Sequence, residues 1–80
     1  MTMAEAVSKR LDDFLFDQKI SLYKLAKRSR LPVATLQNLY RGKMKSPTLT
    51  VIFKNCNGLN VTVQDFLTSD LFSETLLELE

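Results

Sequence analysis

The sequence predicts an all-α fold of five short helices followed by a short acidic tail. Apolar residues recur with the 3.6-residue period of a helix that buries one face, as in Val7, Leu11, Phe14 and Leu15. Residues typical of helix ends separate these stripes, and no segment has the alternating pattern that predicts a strand. A chain of 80 residues is long enough for one domain with a single modest core.

The first three helices have recognisable ends. Apolar periodicity places the first helix at about residues 4–18. Ser21 is a suitable N-cap for a second helix, because its hydroxyl can accept a hydrogen bond from a backbone N–H of the first turn. That helix should end near Ser29. Pro32 cannot continue a helix from upstream but suits a first turn, so a third helix begins there and stops at Gly42.

Two further helices follow a basic loop. The fourth is predicted over residues 48–59, with Leu49 among its inward-facing residues and Asn60 closing it in the left-handed conformation. Thr62 is followed three positions later by an acidic residue, which is a signal for a helix start. We therefore expect a short fifth helix that runs to about Leu67.

Charge is divided unevenly along the chain. Residues 1–60 hold all 11 basic side chains and four acidic ones, whereas residues 61–80 hold five acidic side chains and no basic one. No acidic residue lies between Gln18 and Gln64, a segment that contains nine lysines and arginines. A folded segment with such one-sided charge favours a polyanionic partner, and nucleic acid is the first candidate.

Several classes of function are disfavoured by what the sequence lacks. Cys56 is the single cysteine and there is no histidine, which argues against a metal site, an intramolecular disulfide or a thiol nucleophile with its base. No catalytic grouping, cofactor motif or small-molecule site is evident, so we do not expect an enzyme. No apolar run approaches the roughly 18 residues of a membrane span, and no signal peptide is recognisable, so we expect a cytoplasmic protein.

We expect residues 1–68 to form the domain and residues 69–80 to form a separate tail. The tail is acidic but also carries leucines, and Phe72, Leu76 and Leu79 would share one face of a helix. Two interpretations stay open. The tail is either an extra helical turn or frayed end on its own domain, or a dimerisation surface.

Three segments in a fixed order carry a family resemblance. They read ISLYKLAKRSRLP, ATLQNLYRGK and SPTLTVIFKNCNGLNVTVQDFL, and they cover more than half of the chain. Their order and spacing resemble the phage-repressor/Cro helix-turn-helix family, also called the XRE family. The resemblance implies a five-helix, lambda-repressor-like domain, usually dimeric, whose third helix enters the major groove of double-stranded DNA.

Three positions depart from the usual pattern of that family. Glycine often stands in the turn where this chain has Arg30, and a non-glycine residue at positive φ costs on the order of 1 kcal/mol. Leu22 stands where a glutamine often contacts phosphate. Asn55 stands where an apolar core residue is common. The fold expected from the resemblance accommodates all three.

By the resemblance, the third helix reads bases. With Leu36, Leu39 and Tyr40 facing inward, the outward residues near its N-terminus are Val33, Ala34, Gln37 and Asn38. Asparagine and glutamine can pair bidentately with adenine, and small apolar side chains can contact the methyl group of thymine. No arginine is present among the four to bind guanine, so we expect A·T pairs opposite Gln37 and Asn38. The alternative is that these two amides are ordinary solvated surface residues.

Basic and N-terminal groups around this helix are candidates for phosphate contacts. Such contacts supply salt-dependent affinity and fix the register without reading sequence. Three cations follow the third helix, two more lie on the second helix, and the N-terminus of the second helix offers free backbone N–H groups. The candidates are Ser21, Lys24, Arg28, Arg41, Lys43 and Lys45.

The sequence thus predicts a sequence-specific DNA-binding regulator. One recognition helix covers only a few base pairs, so we expect a homodimer on a pseudo-palindromic operator. Repression by occluding a promoter is the simplest mechanism. The alternative is a protein-interaction module of the same fold, an antitoxin or antirepressor that binds a partner protein through its tail.

Overall fold

The computed structural model describes residues 1–73, and this part of the chain is all-α, as predicted. It has five α-helices and one 3₁₀ turn: α1 Met3–Gln18, α2 Leu22–Ser29, α3 Val33–Tyr40, α4 Leu49–Leu59, α5 Val63–Leu67 and the 3₁₀ turn Asp70–Phe72. No helix within residues 1–73 is both long enough and apolar enough to cross a membrane. The tail positions Leu76 and Leu79 lie outside the described residues.

The helix starts follow the capping residues of the sequence. The hydroxyls of Ser21, Thr48 and Thr62 each accept the backbone N–H three residues later, at 2.9–3.2 Å. Sequence reasoning missed a fourth cap, a capping box in which the hydroxyl of Thr2 accepts the N–H of Glu5 while the Glu5 carboxylate accepts the N–H and hydroxyl of Thr2. These hydrogen bonds lower the pKa of Glu5. The T-x-x-E signal for this cap is present in the sequence.

All five helices contribute to one core. Its fully covered side chains include Leu11 of α1, Leu25 of α2, Leu36 of α3 and Phe66 of α5. Cys56 of α4 is among them, and burial raises the pKa of its thiol, as expected of a small apolar core residue.

The core assignment of Leu49 was wrong. Leu49 was predicted to face inward, but 64% of its surface is exposed. It is the first residue of α4. Asn55 is buried at the position where the family usually has an apolar residue, and its side-chain amide donates to the Val51 carbonyl one turn earlier at 3.1 Å.

The packing of α2 on α4 depends on Gly58. A Cβ atom on Gly58 would lie 2.3 Å from Ser29 Oγ and 2.9 Å from Leu25 Cδ1. Only a glycine therefore lets the two helices approach this closely without a shift. The hydroxyl of Ser29 is buried at this contact and has no hydrogen-bond partner in the described structure.

The C-terminal end of α3 is attached to α1. The Tyr40 hydroxyl donates to Asp12 Oδ1 at 2.7 Å, and the Ser8 hydroxyl donates to the Tyr40 carbonyl. Tyr40 was predicted to face inward, but it is 39% exposed, because its ring runs along the surface to reach α1. The hydrogen bond to Asp12, together with the negative charge of that carboxylate, raises the pKa of Tyr40.

The C-terminal part of the domain is tied to α1 by Arg10. Its guanidinium donates to the carbonyls of Phe66 at 2.8 Å, Asp65 at 2.7 Å and Thr68 at 3.3 Å, and lies 4.6 Å from the centre of the Phe14 ring. Carbonyls at the C-terminal end of a helix lack partners within the helix, and Arg10 supplies donors to them; the Asp65 carbonyl also accepts the backbone N–H of Thr68 at 3.3 Å. The ring of Phe72 packs against Phe66, with centroids 6.2 Å apart, so the start of the tail folds onto its own domain.

We expect Gly58→Ala to lower the free energy of unfolding. Alanine is the better helix former by about 1 kcal/mol, but overpacking a tight contact costs roughly 1–3 kcal/mol, so the net loss should be up to about 2 kcal/mol. Chemical denaturation measures it. Ser29→Ala removes the nearest clashing atom, so the double variant should recover part of the loss. Strictly additive losses would contradict the contact.

We expect Arg30→Gly to stabilise the fold. Arg30 closes α2 at φ 55°, in the left-handed region that the family usually fills with glycine. Relief of this strain should raise the free energy of unfolding by roughly 0.5–1 kcal/mol, measured by chemical denaturation. Asn60→Gly is the matched control at φ 58° and should gain less, because asparagine tolerates this conformation better. An equal or larger gain at Asn60 would contradict the strain argument.

The Tyr40–Asp12 hydrogen bond should produce a pH dependence at the alkaline side. Because the pKa of Tyr40 is raised in the folded state, the bond stabilises the fold below the ordinary tyrosine pKa of 10.0 and is lost as pH rises through the raised value. In a Tyr23→Phe background only Tyr40 titrates. There, Asp12→Asn should bring the midpoint of the ultraviolet tyrosinate titration back towards 10.0. An unchanged midpoint would show that Asp12 is not the cause.

Candidate nucleic-acid interface

The two central helices form a helix-turn-helix. Both α2 and α3 have eight residues, and a turn of residues 30–32 joins them. The backbone N–H of Arg30 bonds to the Ala26 and Lys27 carbonyls, and the N–H of Leu31 bonds to the Ala26 carbonyl at 3.1 Å. Leu31 also packs against the core. The turn is therefore held rigidly, which fixes α3 relative to α2.

The outer face of α3 is polar but uncharged. Leu36 and Leu39 are buried and hold the helix on the core. Of the four predicted base-reading residues, Ala34 and Asn38 are exposed and Gln37 is half-buried. Val33 is also half-buried, but it packs partly against the core, so less of its side chain is available to a ligand. The structure thus brings the four residues to the N-terminal and middle part of one accessible face.

A loop with three exposed cations follows α3. Gly42 has φ 69°, and its N–H and that of Lys43 bond back to the carbonyls of Leu39 and Asn38 at 3.2 and 2.9 Å. Met44, between the two lysines of the loop, packs against the core. As a result Arg41, Lys43 and Lys45 are all exposed beside the end of α3. The structure groups these three predicted phosphate contacts together.

The N-terminus of α2 carries further candidate phosphate contacts. The Ser21 hydroxyl is engaged as the helix cap, accepting the N–H of Lys24 at 3.1 Å. The N–H groups of the first turn are the ones by which a helix end binds a phosphate, and exposed Lys24 adds a charge there. Tyr23 is 65% exposed beside them and was not singled out by sequence reasoning. Leu22, at the usual glutamine position, is half-buried against the core.

Arg28 lies apart from these groups. It lines a groove together with Ser29, Arg30 and two residues of α4, Lys54 and Asn57. In the described part of the chain no residue of α3 lines this groove. Sequence reasoning did not find Lys54 or Asn57, although Lys54 belongs to the acid-free basic segment. The grouping depends on the packing of α2 against α4, which has no local sequence signal.

Comparison with known proteins places this geometry in a family. The Cro/C1-type HTH DNA-binding domain matches residues 10–70. The fold is similar to the crystal structure of the clp gene regulator ClgR from C. glutamicum, with a TM-score of 0.75 and 30% sequence identity over 84% of this chain and 86% of that chain. Among curated proteins none matches. The match covers the five helices from within α1 to the start of the 3₁₀ turn, and the chain therefore belongs to the Cro/C1-type helix-turn-helix DNA-binding domain family.

Proposed function

We propose that the chain is a sequence-specific transcriptional regulator, a cytoplasmic repressor that binds a pseudo-palindromic operator as a homodimer. The observation that carries this proposal is an accessible, uncharged face on α3 that bears amides, together with exposed cations just after α3 and in the first turn of α2. Amide side chains on such a face can discriminate between base pairs, because they pair with the edge of adenine, whereas contacts to phosphate read no sequence. The structural similarity to a gene regulator supports the same assignment.

The two sets of residues have different tasks in this proposal. Ala34, Gln37 and Asn38, with the exposed part of Val33, contact base edges in the major groove. Arg41, Lys43 and Lys45 bind the phosphates on one side. Each phosphate contact releases condensed counterions, so affinity falls steeply as salt rises.

The second group of phosphate contacts in this proposal lies at the N-terminus of α2. There Lys24 and the first-turn N–H groups after Ser21 bind the other phosphate strand, because a helix N-terminus carries a partial positive charge. Arg28 is the most distant member of the proposed phosphate set, since it faces the α4 groove. Its contribution should therefore be the smallest.

The dimer follows from the small size of the reading face. A single α3 contacts only a few base pairs, and two copies on half-sites about one helical turn apart double the number that is read. A bound dimer represses by covering a promoter. The chain itself needs no catalytic group or cofactor for this mechanism.

A fluorescence titration with a selected site and a random site tests the function at two salt concentrations. Lys43→Ala should weaken binding to both sites and reduce the slope of log affinity against log salt by about 1. Asn38→Ala should weaken binding only to the selected site, by roughly 1–3 kcal/mol, because it removes a base contact. Lys9→Ala, an exposed α1 residue outside the interface, is the control and should bind like the parent chain.

Two outcomes would contradict the proposal. Absence of DNA binding at low salt would exclude a DNA-binding regulator and favour the protein-interaction alternative. Site selection that returns G·C pairs at the positions affected by Gln37 and Asn38 substitutions would exclude the proposed base reading, while leaving DNA binding itself intact.

A further inference from the structure

The groove between α2 and α4 is a concentrated patch of unpaired positive charge. Arg28, Arg30 and Lys54 line it together with the amide of Asn57, and among the described residues none of its lining is acidic. Within residues 1–73 the side chains of these three cations form no hydrogen bond or ion pair. Three neighbouring cations without a counter-charge repel one another, so an acidic partner would be bound favourably.

An exposed apolar strip adjoins this patch. Leu49, Phe53 and Asn57 follow one another at four-residue spacing on one face of α4, next to Lys54. Leu49 is 64% exposed and Phe53 is 53% exposed, although side chains of this kind are normally buried. The complete surface, called here the α4 surface, is therefore basic on the α2 side and apolar on the other. It consists of Arg28, Arg30, Leu49, Phe53, Lys54 and Asn57.

Residues 74–80 of the chain have the matching composition. They read ETLLELE, with three glutamates and three leucines. Carboxylates can pair with the cations of the α4 surface while leucines cover Phe53 and Leu49. A DNA backbone would match the cations alone and would leave the apolar strip exposed. The two halves of the surface together therefore favour this peptide segment over a phosphate.

The segment begins next to α1 and α5. The preceding 3₁₀ turn packs on α1, and its Phe72 contacts Phe66 of α5. The α4 surface is instead formed by α2, the turn after it and α4. The segment therefore begins beside elements other than those that form the α4 surface.

We propose that residues 74–80 of one copy bind the α4 surface of a second copy, and the reverse, in a two-fold symmetric exchange. A reciprocal contact of this kind closes a dimer, because the same pair of surfaces is used twice. The inference rests on the proposed homodimer and names the contact that forms it. The exchange also accounts for the acidic tail and for the exposed residues of α4, which are not among the proposed DNA contacts.

A charge-swap experiment on the full chain tests this contact by sedimentation equilibrium. One variant reverses the groove with Arg30→Glu and Lys54→Glu, and the other reverses the tail with Glu74→Lys and Glu78→Lys. Each alone places like charges together, so its dimer dissociation constant should rise at least about tenfold. Mixed in equal amounts, they should form a heterodimer with affinity near that of the parent chain, since both contacts are then between opposite charges.

A matched control makes the same change of charge at residues outside the α4 surface. Lys9→Glu with Lys19→Glu alters two exposed residues of the α1 region and should leave the dissociation constant within about twofold of the parent value. Circular dichroism of every variant checks that helix content is retained. A misfolded reversal variant is replaced by the neutral pair Arg30→Gln and Lys54→Gln, which should raise the dissociation constant in the same direction by a smaller factor.

Three results would overturn the proposal. The parent chain could be monomeric at all concentrations, or its dimer could be unaffected by either reversal. The third result is that each reversal disrupts a contact that mixing the two variants does not restore, although a single chain carrying all four substitutions does restore it. That result would assign the segment to its own domain. DNA measurements separate this test from the proposed function. Dimer-defective variants should still bind one half-site with the parent's salt dependence, whereas failure of the DNA function abolishes binding by the parent chain.

An auxiliary role of the groove in DNA binding is a distinct outcome of the same measurements. If Arg30 and Lys54 contact the DNA backbone, their reversal weakens half-site binding and leaves the oligomeric state of the free protein unchanged. That combination would also overturn the exchange of residues 74–80.

Discussion

The position of the recognition helix depends on the close approach of α2 to α4 at Gly58. Any side chain there would collide with the buried Ser29 hydroxyl and with Leu25, and would push the two helices apart. Since a tightly bonded turn fixes α3 to α2, such a shift would displace the whole reading face. The far end of α3 is attached independently, through the hydrogen bond from Tyr40 to Asp12 on α1. Held at both ends, the α3 backbone carries the proposed base contacts Ala34, Gln37 and Asn38 in a fixed position, and pre-organisation of this kind favours affinity.

Much of this architecture could be predicted because it has local causes. The hydroxyl caps of Ser21, Thr48 and Thr62 and the closing role of Asn60 depend only on residues a few positions away, and all are observed. Long-range contacts were missed for the opposite reason. Arg10 bonds to the Phe66 carbonyl across 56 positions of sequence, and nothing near either residue indicates the pairing. The requirement for Gly58 is equally invisible, since an isolated glycine in a helix reads as a weak point rather than as a contact.

The candidate site divides in the same way. Its reading face follows from the helical period once Leu36 and Leu39 are assigned to the core, and the loop cations follow from their position after α3. The place of Arg28 could not be predicted, because an exposed residue late in α2 points either towards DNA or towards α4 depending on how the two helices cross. Leu49 was misassigned because periodicity reports a face but not whether another element covers it. Where an apolar stripe extends beyond the helix that packs on it, the terminal residue of the stripe is exposed.

Arg30 shows how stability and charge compete at one position. In the left-handed conformation an arginine costs on the order of 1 kcal/mol that glycine would not, and a domain of this size has little stability to lose. The strain is confined to the backbone, while the side chain joins Arg28 and Lys54 in the groove, where a glycine would contribute no charge. A residue held in an unfavourable conformation is most easily understood when its side chain has a task in the folded molecule. Within the proposed exchange, that task is to bind an acidic segment of a second copy, so the departure from the family's glycine and the unpaired groove have one common explanation.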